Sequence, residues 1–302
     1  MRYSSKFDFI KSSKYFIYFS ILITVLGIGS LIFVGFNYGV DFRAGSNVDI
    51  VLSKPVAKDE IDKLLAEKNA GHYTLTAGAD RASIRFDDIL TDVQEKELKA
   101  SITEKLDPNA SMEINTVDVQ MARELQFNAL LALSLASLGI LIYISFRFEW
   151  RFALAAIIAL VHDAFIVISV FSIFRLEVNL TFIVAVLTII GYSINDTIVI
   201  FDRIRENLRF AKIKSPADLA ALVNRSIWET LTRSINTVVT VIFGALALYI
   251  FGSESIRLFS LAILIGLVAG AYSSIFIASP IWLALRSKAK PKSAQKTPAT
   301  TS

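Results

Sequence analysis

Six apolar runs, at 15–36, 126–146, 152–174, 180–201, 235–251 and 256–285, constrain this 302-residue chain more than any other feature. A run of about 20 apolar residues is long enough to cross a bilayer as a helix. The fifth run is short for that purpose and the sixth is long. Burying all six in a soluble core would leave too little polar surface to cover it. The expected architecture is therefore a polytopic α-helical membrane protein with six transmembrane helices. The stretch 37–125 stands apart, with an ordinary soluble composition.

Charge sets the expected orientation. Basic residues gather at Arg2, Lys6, Lys11 and Lys14, at Arg147 and Arg151, from Arg203 to Arg233, and at Arg286, Lys288, Lys290, Lys292 and Lys296. Six spans with both termini cytoplasmic place every cluster inside, as the positive-inside rule requires. The net charge of +4 is accounted for in this way, and no nucleic-acid partner is expected. The first run follows basic residues, as a signal peptide would, but it is too long for one and reads as an uncleaved anchor.

The expected parts are a cytoplasmic N-terminus (1–14), a first span (15–36), an extracytoplasmic α+β domain (37–125), a five-helix membrane region (126–285) and a disordered cytoplasmic tail (286–302). The domain reads as strand 46–52, helix 56–69, strands at 73–76 and 82–86, helix 91–106 and a last strand from Met112 to Val119. That β-α-β-β-α-β order is a ferredoxin-like split motif between helices 1 and 2. Val93, Leu98, Ile102 and Leu106 form the apolar stripe expected of its second helix. Within 202–234, a cytoplasmic segment, Ser215-Pro216 is an N-cap with proline at the first helical position. The helix it starts is expected to lie on the cytoplasmic face and lead into the fifth span. Gly266 and Gly270 carry the spacing of close helix packing in membranes.

Cysteine is absent and the two histidines lie far apart in sequence, so neither a thiolate nor a histidine-rich metal centre is expected. Asp87-Asp88 reads as a solvated strand end. No glycine-rich phosphate loop occurs, so no cofactor and no enzymatic activity are expected.

The chemistry concentrates in residues that membranes normally exclude. Asp196 lies inside the fourth run, about six residues or ~9 Å before the first water-side charge. A carboxylate at such depth is expensive unless protonated, paired or hydrated. Tyr192, Asn195 and Asp196 share one sector of the helix, and Arg233 enters the fifth run from the same side. Desolvation favours the neutral carboxyl and a guanidinium favours the charged one, so such a group can take up and release a proton. A static pair that only locks two helices fits the same residues. In the third run, His162 and Asp163 point about 100° apart and are not expected to share a target. Asp163 is expected to bond a neighbouring helix, with His162 packed and neutral.

The stretch Gly191-Tyr192-Ser193-Ile194-Asn195-Asp196-Thr197-Ile198-Val199-Ile200-Phe201-Asp202-Arg203-Ile204-Arg205-Glu206-Asn207 resembles the fourth-span motif of the SecD/SecF family, membrane subunits of the bacterial Sec translocase. Gly39-Val40-Asp41-Phe42, Phe146-Arg147 through His162-Asp163, Glu229 to Thr237 and Gly270 to Phe276 resemble the family in the same order. The chain departs at Arg43-Ala44-Gly45, where the family usually has Thr-Gly-Gly. It also lacks the Gly- and Pro-containing element usual before span two. The resemblance implies a subunit that works with SecD beside the SecYEG channel in the bacterial inner membrane. It further implies membership of the resistance-nodulation-division superfamily and use of the proton motive force to pull exported preprotein outward. Asp196 and Arg233 then match positions implicated in proton passage, flanked by Asn195 and Tyr192. Two rivals are a proton-coupled small-molecule exporter half and a passive assembly subunit. The first predicts twelve spans and a larger outer insertion. The second predicts that Asp196 and Arg233 tolerate a charge-free double replacement.

Overall fold

A computed structural model describes residues 7–68, 71–78 and 80–287. The tail from 288 and the basic residues Arg2 and Lys6 lie outside the described residues. Among those described, six helices are long and apolar enough to cross a membrane: Phe9–Phe33, Val119–Arg147, Trp150–Ile173, Leu180–Phe210, Pro216–Phe251 and the broken helix Ile256–Ser287. In chain order the elements are α1 (Phe9–Phe33), β1 (Asn37–Tyr38), α2 (Val40–Arg43), β2 (Gly45–Val51), α3 (Lys58–Glu67), β3 (Tyr73–Ala77) and β4 (Arg81–Phe86). They continue with α4 (Asp92–Lys105), β5 (Ser111–Val117), α5 (Val119–Arg147), α6 (Trp150–Ile173), β6 (Glu177–Val178) and α7 (Leu180–Phe210). Last come α8 (Pro216–Phe251), α9 (Glu254–Ser273), a π-helical turn (Ser274–Ala278) and α10 (Ser279–Ser287).

Several helix ends differ from expectation because capping chemistry, not hydropathy, sets them. Asp8 accepts a hydrogen bond from the Lys11 N–H and starts α1 at Phe9, well before residue 15. Asp118 caps α5 in the same way, so Val119 is helical and the last strand stops at Val117. The capping box of Ser215 and Asp218 starts α8, and no break separates its polar half from the fifth span. One 36-residue helix replaces the expected surface helix plus span. The pairing of β1 with β6 and the one-turn α2 carry too few residues to show a period.

Four strands form an antiparallel sheet in the order β3-β4-β2-β5. Val48, Ile50, Ile84 and Phe86 meet Ile61, Leu64 and Leu65 of α3 and Leu98 and Ile102 of α4 in its core. Val93 is not part of that stripe. Five residues before Leu98 it points about 140° away on the helix, and it is 64% exposed. After α4, the Asp107 carboxylate accepts from the Ser53 N–H (2.5 Å), the Ser53 hydroxyl (2.8 Å) and the Asn109 N–H (3.0 Å). The Ser53 backbone bond, then that of Asn109, holds its carboxyl below the ordinary range. A lowered folded-state value stabilises at neutral pH, and the stabilisation is lost as pH falls below about 4. Sheet unfolding followed in the full chain should therefore weaken over that acid range, and Asp107→Asn should flatten the dependence.

The departure at Arg43-Ala44-Gly45 carries a backbone cost. Ala44 adopts φ 67°, ψ 163°, a region nearly restricted to glycine and worth about 1–3 kcal/mol of strain in other residues. Gly45, at φ 125°, faces the Phe86 carbonyl so closely that a side chain would collide. Ala44→Gly should relieve the strain, partly offset by about 0.4–1 kcal/mol of extra unfolded-state freedom. The thermal midpoint in detergent should rise by about 2 °C.

In the helical part, α6, α7 and α9 occupy the centre, and α1, α5 and α8 keep most of their apolar surface exposed. Glycines allow the close approaches. Gly266 faces the Ile189 side chain and Gly270 faces Ser193, so both seat α9 on α7. The sheet is tied to the helix ends. Arg81 donates to the carbonyls of Ile250 (2.9 Å) and Gly252 at the end of α8. Arg85 donates to Asn37 Oδ1 (3.1 Å) and the Tyr38 carbonyl (3.0 Å), beside Glu177. Asp41 accepts from the Leu180 N–H (2.8 Å) at the start of α7.

Candidate functional site

Helix α7 presents Tyr192, Asn195 and Asp196 on adjoining turns, and α8 and α9 close over them. The residues singled out from sequence, Asp196, Arg233, Asn195 and Tyr192, all line one cavity of about 40 Å³ together with Ser193, Thr237 and Gly270. That volume holds at least one water molecule. The glycines of α9 create the space, because any larger residue at 266 or 270 would fill the wall against α7.

Asp196 is only partly exposed, and its Oδ2 is buried without a hydrogen-bond partner. The Ser234 hydroxyl, on α8 next to Arg233, is likewise buried and unpartnered. Ser234, Ser274 and the Arg233 charge are the groups that act on the carboxyl. Arg233 lines the cavity but makes no ion pair with Asp196 within 4.0 Å. The geometry is a carboxyl and a guanidinium held across a small polar space, not a closed salt bridge. Such a carboxyl can bind a proton or a water without first breaking a bond. Asn195 and Arg233 are exposed, and Tyr192 is 39% exposed, so this polar sector also reaches the outer surface of the helix bundle.

Sequence reasoning missed the hydroxyls around the pair. Ser274 begins the π-helical turn, and its hydroxyl lies 2.9 Å from Thr197 Oγ1 and donates to the Gly270 carbonyl at 3.1 Å. A π-turn inside a helix frequently marks a functional position. The signal available was the recurrence of Ser and Thr in runs otherwise made of Leu, Ile, Val and Ala.

His162 and Asp163 bond different neighbours, as expected, and they also meet each other, which the helical angle did not foretell. His162 Nδ1 lies 2.9 Å from Asp163 Oδ1. The 100° between adjacent positions is bridged by the length of the imidazole. Asp163 does bond neighbouring helices: Ser193 of α7 (2.5 Å) and Ser273 of α9 (2.7 Å) both donate to its Oδ2.

The charged end of the motif stays helical to Phe210 and ties α7 to α8. Glu229 accepts from Arg203 Nε (2.7 Å), Asn207 Nδ2 (2.8 Å) and Arg225 Nε (2.8 Å). Both Asp202 carboxylate oxygens accept from Arg147 Nη2 on α5, at 2.8 and 3.1 Å. Among the described residues no group of three His, Cys, Asp or Glu could hold a metal ion.

Residues 97–288 match the family described as protein export membrane protein SecD/SecF, C-terminal, and residues 29–56 match the SecD/SecF GG motif. The protein translocase subunit SecF of Alicyclobacillus acidocaldarius is 45% identical over 95% of this chain and 95% of its own. The chain belongs to the SecF family. It is thus a multi-pass membrane protein of the protein-translocation machinery. The SecF of Helicobacter pylori strain 26695 is 41% identical over 92% of this chain and 87% of its own. The Bacillus subtilis subunit SecDF is 43% identical over 94% of this chain, which spans 38% of that longer protein. The crystal structure of SecDF from Thermus thermophilus, titled a translocon-associated membrane protein, superposes with a TM-score of 0.81 at 34% identity. That match covers 95% of this chain and 39% of the SecDF chain.

Proposed function

We propose that this chain works with SecD beside the SecYEG channel, and that protons passing Asp196 drive late steps of preprotein export across the cytoplasmic membrane. The observation that carries the reading is the Asp196 carboxyl, with one buried oxygen unpartnered in a water-sized polar cavity facing Arg233. A purely structural lock would close that pair. A proton arriving from outside neutralises Asp196, its attraction to Arg233 weakens, and α7 and α8 shift. Release to the cytoplasm resets them. Protons are the only coupling ion required, and the chain is a transport subunit with no enzymatic role.

In this reading the 37–125 unit is an extracytoplasmic ferredoxin-like domain and both termini are cytoplasmic, with 202–234 on the inner side. The outer ends of α7 and α8, held by Asp41, Arg85 and Arg81, pass the shift to the domain. Exposed polar residues in a span call for a partner surface, and Tyr192, Asn195, Asn236, Thr237 and Thr240 form such a strip. Relatives in which a longer SecDF chain contains this region support SecD as that partner. The test is copurification in mild detergent followed by export in inverted vesicles. SecD and SecYEG should copurify, and vesicles depleted of this chain should lose the acceleration that an imposed proton gradient gives. Equal acceleration without the chain would refute the proposal.

A further inference from the structure

We infer that His162 and Asp163 form a second proton-holding pair in the membrane core, joined to the Asp196 cavity by the Ser193 hydroxyl. The inference rests on the proton-driven reading above. Asp163 is wholly buried at 0% exposure, and His162 is its one ion-pair partner among the described residues. A buried carboxylate with no guanidinium or ammonium beside it is costly in a bilayer. An imidazole that takes up a proton removes that cost locally.

The hydrogen bonds around the pair permit either state. Asp163 Oδ2 accepts from Ser193 and Ser273, and Oδ1 faces His162 Nδ1. On the far side, His162 Nε2 lies 3.2 Å from the Tyr272 hydroxyl, which lies 3.1 Å from Ser20 Oγ on α1. Hydroxyls both donate and accept. When Nε2 is bare it accepts from Tyr272. When it is protonated it donates, and Tyr272 turns to donate to Ser20. Every polar atom keeps a partner in both states, which a rigid clamp has no need of.

Ser193 is the link. It lines the Asp196 cavity and donates to Asp163. Gly270 packs against both residues, where an added Cβ would lie 3.3 Å from Ser193 Cβ and 3.7 Å from Asp163 Oδ2. The titratable and charged groups around the pair are Tyr272 from α9, Asp196 from α7 and Arg233 from α8 across the cavity. Helix α1 contributes the Ser20 hydroxyl. In the transfer, Ser193 accepts the proton that Asp196 releases on the cavity side and passes its own to Asp163 Oδ2, which becomes a neutral carboxyl beside the Nδ1–H of His162. The pair ends with one proton more and Asp196 with one fewer; a proton taken up at Nε2 instead gives imidazolium and carboxylate with the same count.

The chain has two histidines, so His72→Gln leaves His162 as the one imidazole. Ring-nitrogen NMR of the isotope-labelled full chain, assembled with unlabelled SecD in lipid vesicles, then reads its state directly. Acidifying the vesicles should convert the His162 signal from neutral to imidazolium, and Asp163→Asn should abolish the conversion. In the same vesicles Asp163→Asn and His162→Asn should reduce gradient-dependent export at least about tenfold. Ser193→Ala, a smaller change, should also reduce export while His162 still converts. Asp196→Asn is run in parallel. If it keeps the gradient effect, the proton-driven reading itself falls. If it loses the effect while the Asp163 and Ser193 variants export normally, or while His162 stays neutral throughout, the relay alone falls and Asp163 is a helix clamp.

Discussion

Asp196→Asn should leave the chain folded and bound to its partner, and should remove the proton-gradient dependence of preprotein export. Asparagine keeps the volume of the carboxyl and its place in the cavity but cannot take up and release a proton. No closed ion pair is lost, since Oδ2 is unpartnered and Arg233 is not closed onto it, and the amide oxygen can still face Ser234 and Ser274. The gradient supplies about 2.3 kcal/mol per charge per 100 mV, equivalent to a bias of roughly fiftyfold on a two-state element. The variant should therefore export at the rate seen without a gradient. Inverted vesicles assayed with and without an imposed gradient give the answer. The double variant Asp196→Asn/Arg233→Met adds a control. It is charge-free and of similar volume, so a passive assembly subunit would tolerate it, whereas a proton-driven one would remain uncoupled.

The largest stability loss should follow Glu229→Ala. Glu229 is 16% exposed and satisfies Arg203, Arg225 and Asn207 at once. Truncation leaves Arg203 with Glu206 alone, Asn207 with the Ser226 hydroxyl alone, and Arg225 to solvent. Hydrogen bonds to charged groups contribute about 1.5–3 kcal/mol, and the exposure of the two arginines places this site at about 2 kcal/mol. Glu229→Gln keeps one acceptor oxygen for Arg203 and Asn207, turns an amide toward the exposed Arg225, and should lose about half as much. Thermal unfolding in mild detergent distinguishes the two variants. Equal midpoints for Ala and the parent would mean that solvent replaces the whole network.

Much of this was legible because membranes are strict about polarity. Asp196 and Arg233 stood out as misfits in apolar runs, and the structure brings them to one cavity. The paired glycines of α9 announced a close approach to a neighbouring helix. Helix ends were less legible where Asp8 and Asp118 start their helices through single hydrogen bonds that hydropathy does not sense, whereas the Ser215-Pro216 start of α8 was read from the sequence. The His162–Asp163 contact was not foreseen because helical angle alone ignores side-chain reach. Ser193, Ser234 and Ser274 went unnoticed for a different reason. Small hydroxyls are common in membrane helices, and only tertiary packing decides which of them meet a carboxyl.

The unbroken course of α8 has a mechanical consequence. Its 36 residues span about 54 Å at 1.5 Å each. Arg233 lies close to the middle, seventeen residues after Pro216 and eighteen before Phe251. The N-terminal arm is moored by Glu229, and the C-terminal tip is gripped by Arg81 of the sheet. With its fulcrum at the cavity, a tilt of about 5° swings that tip by about 2 Å. A displacement too small to disturb the cavity walls would thus reach the sheet at a size comparable to a broken hydrogen bond.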